Sequence, residues 1–246
     1  MTSTTDRGTA GTRGSASGTP GRPRAALFDL DGTLVDTNYL HTLTWWQALH
    51  QHGHEVPMAE IHRAVGMGGD KLLDHLLGAR HDHRQDQALD DAHHALYATW
   101  FDALPVLEGA SDLLRAVAAR GMRIVLASSA SADEVAAIRK ALGVDDVVHA
   151  ATSADDVDAT KPAPDLVERA LELAGAAPEE AVFVGDTVWD VKAAARAGVP
   201  CIGLLTGGVS DAELTAAGPV TVYRGPGELL RGLDSSPFAV SRAASA

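Results

Sequence analysis

Asp29 and Asp31 flank a single leucine in the run Leu27-Phe28-Asp29-Leu30-Asp31-Gly32-Thr33. Two carboxylates this close repel each other, and a strand interior disfavours both. Positions two apart on an extended chain face the same side, so both groups can aim at one site. Gly32 then permits a turn that a residue with a Cβ resists. Three more polar groups stand in comparable places. Ser128 and Ser129 follow an apolar run, Lys161 lies in Ala159-Thr160-Lys161-Pro162-Ala163-Pro164-Asp165, and Asp186 follows Ala181–Gly185 with Asp190 one helical turn beyond. Together they are four carboxylates, hydroxyl donors and one ammonium. Several carboxylates sharing a cleft are best explained by a divalent cation, and all-oxygen ligands suit Mg²⁺. The cation offsets the repulsion among Asp29, Asp31 and Asp186. Such an ion usually binds a substrate phosphate as well. Lys161 offers a point charge to phosphate oxygens and Ser128 a short neutral donor. A carboxylate can also attack phosphorus as a covalent nucleophile.

These groups act together only if the fold gathers them. The runs at 25–28, 123–129, 181–186 and 200–205 are apolar and read as buried strands, with shorter ones at 147–150 and 220–223. Between them lie helical patterns. Leu113, Leu114 and Val117 share one face, as do Val135, Ile138 and Leu142. Ser131 with Glu134, and Ser210 with Glu213, have capping-box spacing. The alternation implies a parallel sheet with helices on both faces. Ligands of such sheets bind beyond the carboxyl ends of the strands, near a topological switch. The polar groups above all fall at those ends or in the adjoining loops.

From about Asn38 to Pro105 the rhythm breaks. No good strand is present, several helices are, and ten of the eleven histidines fall there, His149 being the exception. The division expected is an α/β core at 25–37 and 106–232 with a helical insertion at 38–105. Residues 1–24, rich in Ser, Gly, Thr and Arg, read as a disordered tail, with an organellar transit peptide as the other compositional reading. Residues 233–246 read as a C-terminal tail. The net charge of −13 argues against nucleic acid or an anionic membrane as partner. No apolar stretch approaches membrane-spanning length. Cys201 is the one cysteine, which excludes an intramolecular disulfide and suits a reducing, cytoplasmic setting.

The motifs Asp29-Leu-Asp31-Gly-Thr33, Leu126-Ala-Ser128-Ser129, Thr160-Lys161-Pro-Ala-Pro-Asp165 and Val184-Gly-Asp186-Thr-Val-Trp-Asp190 resemble, in order, the four motifs of the haloacid dehalogenase-like (HAD) hydrolase superfamily. The resemblance covers roughly residues 25–208. The helical insertion resembles the C1-type cap of the phosphoglycolate phosphatase and β-phosphoglucomutase branch. The fold this implies is a Rossmann-like parallel sheet core with a helical C1-type cap inserted after the first strand. Asp29 then matches the nucleophile that becomes an aspartyl-phosphate. Asp31 matches the general acid and base, a role that calls for a raised pKa in the complex. The Asp29 carboxylate, the Asp31 backbone carbonyl and Asp186 match the Mg²⁺ ligands, and Ser128 and Lys161 the phosphate clamp. Asp190 matches an acid that holds a metal-bound water or Lys161. The activity implied is hydrolysis of a small phosphorylated metabolite of the phosphoglycolate or sugar phosphate type. A sugar phosphomutase uses the same residues and is the alternative. A non-catalytic module binding a phosphate ligand is the reading from another class.

Plainer readings stand beside these. Asp190 also fits a first-turn helix acid favoured by the dipole. Ser129 is as available a donor as Ser128. The glycine-rich turn of Gly66, Gly68 and Gly69 can let its amides approach a substrate or merely join two helices. His81-Asp-His-Arg84 lacks a second ligand pair and reads as a solvated loop. Trp100 reads as core, and Cys201 as an inert buried residue.

Overall fold

The computed structural model describes residues 23–78, 81–153, 156 and 159–239. In chain order the elements are β1 (Ala25–Phe28), α1 (Asn38–Gln51), α2 (Met58–Ala64), α3 (Gly69–Leu77), α4 (Asp86–Ala98) and α5 (Ala110–Ala119). Then come β2 (Arg123–Ala127), α6 (Ala132–Leu142), β3 (Val148–Thr152), α7 (Asp165–Ala174) and β4 (Ala181–Gly185). The chain continues with α8 (Val188–Arg196), β5 (Cys201–Leu204), α9 (Asp211–Ala217), β6 (Thr221–Tyr223) and α10 (Pro226–Arg231).

The six strands pair in parallel in the order β3-β2-β1-β4-β5-β6. Strand alternation divides the apolar runs between two cores. Ala26, Phe28, Ile124, Leu126, Val182 and Val184 face α5, α6 and α10. Ala25, Leu27, Val125, Ala127, Ala181 and Phe183 face α7, α8 and α9. Burial on both faces is why these strands read as continuous hydrophobic runs. Both capping boxes read from the sequence are present, at Ser131 with Glu134 and at Ser210 with Glu213.

The four helices α1–α4 follow β1 in the chain and carry a separate small core of Trp45, Leu49, Ile61, Ala64, Leu72, Leu73 and Leu89. They form the helical cap on the mixed α/β body. Of the paired tryptophans, Trp45 is buried and Trp46 only partly so. Trp100 does not enter a core: it is 38% exposed, and the neighbouring Tyr97 takes the buried place.

At the other end the chain differs from the expected tail. Residues 233–239 pack on the sheet, with Leu233, Ser236 and Phe238 buried and Phe238 stacked on Phe28 at 6.1 Å. Arg120 Nη1 donates to the carbonyls of Leu233 and Phe238 at 3.0 and 3.2 Å. A lone phenylalanine in a Ser/Pro run has no periodicity to announce it, yet it completes one face of the core. Residues 1–22 and 240–246, the rest of the expected tails, lie outside the described residues. Among the described residues no helix is long and apolar enough to cross a membrane.

Candidate active site

Strand order reverses between β1 and β4, so the loops leaving these neighbours part and open a crevice. Asp29 and Asp31 leave β1, Asp186 leaves β4, Ser128 leaves β2, and Lys161 enters from the loop after β3. The structure thus brings together all the strand-end groups singled out in the sequence.

Gly32 carries the turn after β1 with φ +73°. A Cβ there would stand 2.3 Å from Asp186 Oδ2, and one on Gly207 would stand 1.8 Å from the same atom. Only glycines leave room for this carboxylate. Asp186 is held in that slot by Thr33 Oγ1, which donates to Oδ1 at 2.8 Å, and by Asn38 Nδ2, which donates to Oδ2 at 2.8 Å. Thr33 Oγ1 also lies 3.2 Å from Asp29 Oδ2. Lys161 Nζ donates to Asp29 Oδ1 and pairs with Asp190 Oδ1 at 2.7 Å. Asp190 also caps its own helix, since its Oδ2 accepts from Thr187 N at 3.0 Å and Thr187 Oγ1 at 2.6 Å. One Asp190 oxygen thus meets Lys161 while the other caps α8.

Asp29, Asp186, Asp190 and Lys161 are all buried. Three carboxylates against one ammonium leave an excess of negative charge away from water. Burial is the main cause that pushes Asp29 up to about 7, with Asp190 and Asp31 adding to it and Lys161 opposing it. Burial likewise raises Asp186 well above the ordinary carboxylate range, with Asp190 and Asp29 contributing. Carboxylate oxygens of Asp29, Asp186 and Asp190 lie within 4.8 Å of one another. An all-oxygen, over-charged donor set of this kind fits a hard divalent cation.

Asp31 turns the other way, toward the cap. Its Oδ1 lies 3.0 Å from His41 Nε2, 2.6 Å from Thr37 Oγ1 and 3.4 Å from the Tyr97 hydroxyl. Burial would raise its carboxyl, but the His41 charge and the hydrogen bonds from His41 and Thr37 outweigh burial and hold it below 3.8. Burial would lower His41, but Asp31 outweighs it and raises the imidazole above 6.5. The raised Asp31 that an acid role calls for is therefore absent from the free chain, because the proton of this pair resides on His41. His41 Nδ1 meets His93 Nε2 at 3.2 Å, and the His93 ring stacks on Trp45 at 4.1 Å. Sequence reasoning missed His41 and His93. The available signal is His41 standing one turn into a helix that begins directly after the Asp29–Thr37 turn.

Ser128 is buried, and its Oγ accepts from Ala130 N at 3.0 Å, which leaves its proton for another acceptor. The Ser129 hydroxyl is buried with no hydrogen-bond partner, and both serines line the same cavity. That cavity, of about 440 Å³, lies between the strand-end loops and the cap. Gly66, Gly68 and Gly69 line it where the cap meets the core. A Cβ on Gly66 would stand 2.9 Å from Thr187, one on Gly68 2.3 Å from Thr160, and one on Gly69 2.8 Å from Asp90. Absence of side chains lets this turn seat directly beside the residues that precede Lys161 and follow Asp186. His62 Nε2, 2.9 Å from the Gly207 carbonyl, and Trp189 Nε1, donating to Arg63 O at 3.0 Å, tie the same junction. The His81–Arg84 run is not uniformly solvated: the His81 ring is buried against Asp86, whose other oxygen is 3.1 Å from His83 Nδ1.

The family model for haloacid dehalogenase-like hydrolases matches residues 23–198, a span that holds every one of these groups except Gly207. The chain belongs to the haloacid dehalogenase-like hydrolases. It is 32% identical over 214 residues to the phosphoglycolate phosphatase of Rhodospirillum rubrum, covering 82% of this chain and 87% of that protein. Among solved structures it resembles a hydrolase from Pseudomonas syringae, with 34% identity, a TM-score of 0.82, and coverage of 87% of this chain and 98% of that one. A β-phosphoglucomutase from Clostridium difficile shares the fold at 19% identity and a TM-score of 0.76, covering 88% and 97%. This HAD-like hydrolase is an enzyme of the phosphatase type, and the reading as a non-catalytic binding module falls away.

Proposed function

We propose that the chain is a Mg²⁺-dependent phosphatase that hydrolyses the phosphate monoester of a small metabolite, of the phosphoglycolate or sugar phosphate type, through an aspartyl-phosphate on Asp29. The observation that carries this reading is the buried Asp29 carboxylate, set between Lys161 and Thr33 at the floor of the cavity. Asp29, the Asp31 backbone carbonyl and Asp186 are the groups to hold the cation. When bound, it neutralises charge on the phosphate oxygens and favours the ionised form of Asp29.

An Asp29 oxygen attacks phosphorus as the bond to the ester oxygen breaks. Asp31 gives that oxygen a proton, drawn from the pair it forms with His41. Ser128 and Lys161 hold the equatorial oxygens, over which charge spreads. In the second half, Asp31 takes a proton from water while the water oxygen attacks phosphorus. The Asp29–phosphorus bond breaks, which frees phosphate and restores Asp29. Asp190 orients Lys161, and His41 acts through Asp31 as a positioning residue. The cap, with its Gly66–Gly69 turn, closes over the ester, excludes bulk water and favours small substrates. The phosphomutase alternative differs only in the acceptor of the phosphoryl group, and no observation in the cavity favours it. The net charge of −13 and the single buried Cys201 suit a cytoplasmic enzyme without nucleic-acid or membrane partners.

The test is phosphate release from a panel of esters before and after chelation. EDTA should remove activity and Mg²⁺ restore it. Full activity after exhaustive chelation contradicts the metal role.

A further inference from the structure

A second group of potential ligands stands in the cap, outside the catalytic machinery. His81, His83 and Asp86 bring side-chain ligand atoms that all lie within 4.8 Å of one another. His81 Nε2 and His83 Nδ1 meet different oxygens of the Asp86 carboxylate, His83 at 3.1 Å. Asp74 adds a fourth group from α3, its Oδ1 3.8 Å from His83 Nδ1. The His81–Arg84 run shows no second ligand pair in the sequence; the fold supplies one from the two helices that flank it.

The backbone presets this arrangement. Asp82, between the two histidines, is taken up by Arg84: its carboxylate accepts from Arg84 N at 3.2 Å, Nε at 2.9 Å and Nη2 at 2.8 Å. A single 3₁₀ turn at His83–Gln85 then leads into α4, of which Asp86 is the first residue. Gln85 Oε1, 3.0 Å from His54 Nε2, ties the turn to the chain beyond α1. With Asp82 engaged elsewhere, the residues on either side of it meet Asp86.

Hydrogen bonding alone accounts for the group incompletely. The His81 side chain is only 2% exposed, yet its Nδ1 has no hydrogen-bond partner among the described residues. Both imidazoles share one carboxylate instead. Two imidazoles in the neutral form that ligates metals, with two carboxylates, carry a charge of −2 that a divalent cation cancels. Ligand atoms about 2.0–2.1 Å from a tetrahedral Zn²⁺ stand about 3.3–3.4 Å from one another. The spacings of 3.1 and 3.8 Å about His83 bracket that value. The donors also differ in kind from the catalytic acids. Those are all oxygen and fit a hard ion, whereas mixed imidazole and carboxylate donors suit Zn²⁺ and its neighbours. We propose that His81, His83, Asp86 and Asp74 form a structural transition-metal site of the Zn²⁺ class in the cap. The ion joins α3 to the start of α4. Asp86 also lines the cavity, so the ion fixes a piece of its wall.

The test uses the full chain without a histidine tag, in excess Mg²⁺ to occupy the catalytic acids, and titrates Zn²⁺ by calorimetry. Wild type should bind Zn²⁺ and melt at a higher temperature with it, since the ion favours the folded chain. Co²⁺ in its place should give the strong visible absorption of a four-coordinate site. His83 is 70% exposed, so His83→Ala removes a ligand without opening a core. Loss of a mere outer partner of a metal ligand costs about 10–100-fold in affinity. His83→Ala, and His81→Gln as a second variant, should each weaken Zn²⁺ binding by at least about tenfold. His83→Ala should also lose the thermal gain, while both variants keep Mg²⁺-dependent hydrolysis of p-nitrophenyl phosphate. Zn²⁺ binding of unchanged affinity and stoichiometry in His83→Ala overturns the proposal. So does a wild-type chain that takes up no Zn²⁺ in excess Mg²⁺. Neither result touches the phosphatase reading, which chelation and phosphate release decide separately.

Discussion

The floor of the cavity carries Asp29, Asp31 and Lys161 on loops at the strand ends, with Asp186 buried beside Asp29, whereas its roof carries His41, Trp45, His93 and a glycine turn on helices of the cap. On the floor every ionic group has at least two partners. Lys161 meets two carboxylates, and Asp186 meets Thr33 and Asn38 between two glycines. The roof touches this machinery at few places, chiefly where His41 meets Asp31 and where the Gly66–Gly69 turn meets Thr187 and Thr160. The difference separates two tasks. Fixed charge at the strand ends serves the phosphate, which every substrate shares. An attachable roof serves the leaving group, which distinguishes substrates, and reaches the chemistry through one proton-bearing contact.

Lys161→Met cuts deepest into the floor. It leaves Asp29, Asp186 and Asp190 buried without their ammonium, and breaking a buried pair by removing one partner costs about 3–5 kcal/mol. The pH dependence has a definite sign. Acids with raised folded pKa keep a proton that the unfolded chain gives up above about 3.8, so stability falls as pH rises from there through the folded values. Without Lys161, which opposes the rise, Asp29 is raised further. The variant should therefore unfold more readily than wild type in urea at pH 8 and recover toward pH 5. Equal midpoints at both pH values would remove Lys161 from its place as the counter-ion of the floor.

His41→Asn tests the contact between roof and floor and should have a smaller effect. A drop in kcat of about tenfold is expected, less than the roughly 10²–10⁴-fold contributed by a direct proton donor. The informative readout is the pH profile. Asp31 raises His41 above 6.5, so the proton of the pair is present below that raised value and lost as pH rises through it. The alkaline limb of wild-type kcat should lie above 6.5 and shift to lower pH in the variant. A uniform loss at every pH would mean that His41 only supports the packing around Tyr97.

The contrast also explains what the sequence disclosed. Strand, polar terminus and following turn are contiguous in the chain, so Asp29, the Ser128–Ser129 pair and Asp186 could be placed at strand ends from periodicity and chain order, and the choice of Ser128 over Ser129 needed the family motif. Lys161 needed only the rule that ligands gather at the carboxyl ends. His41 depends on the angle at which α1 leaves the Asp29–Thr37 turn, and His93 on α4 packing against α1, neither of which a local pattern encodes. Among ten cap histidines nothing in composition marks these two. Phe238 was hidden for a related reason: its partner Phe28 lies at the opposite end of the chain, and its neighbours resemble a linker.

The central claim is that Asp29 carries the phosphoryl group between the two halves of the reaction. Asp31→Asn lacks the base that activates water, yet p-nitrophenyl phosphate has a leaving group that departs without a proton. Acid quenching of this variant during turnover of that ester, followed by peptide mass analysis, should find a phosphoryl group on Asp29 that hydroxylamine removes. Phosphorylation of a different residue, or hydrolysis with an unmodified Asp29 throughout, would contradict the account.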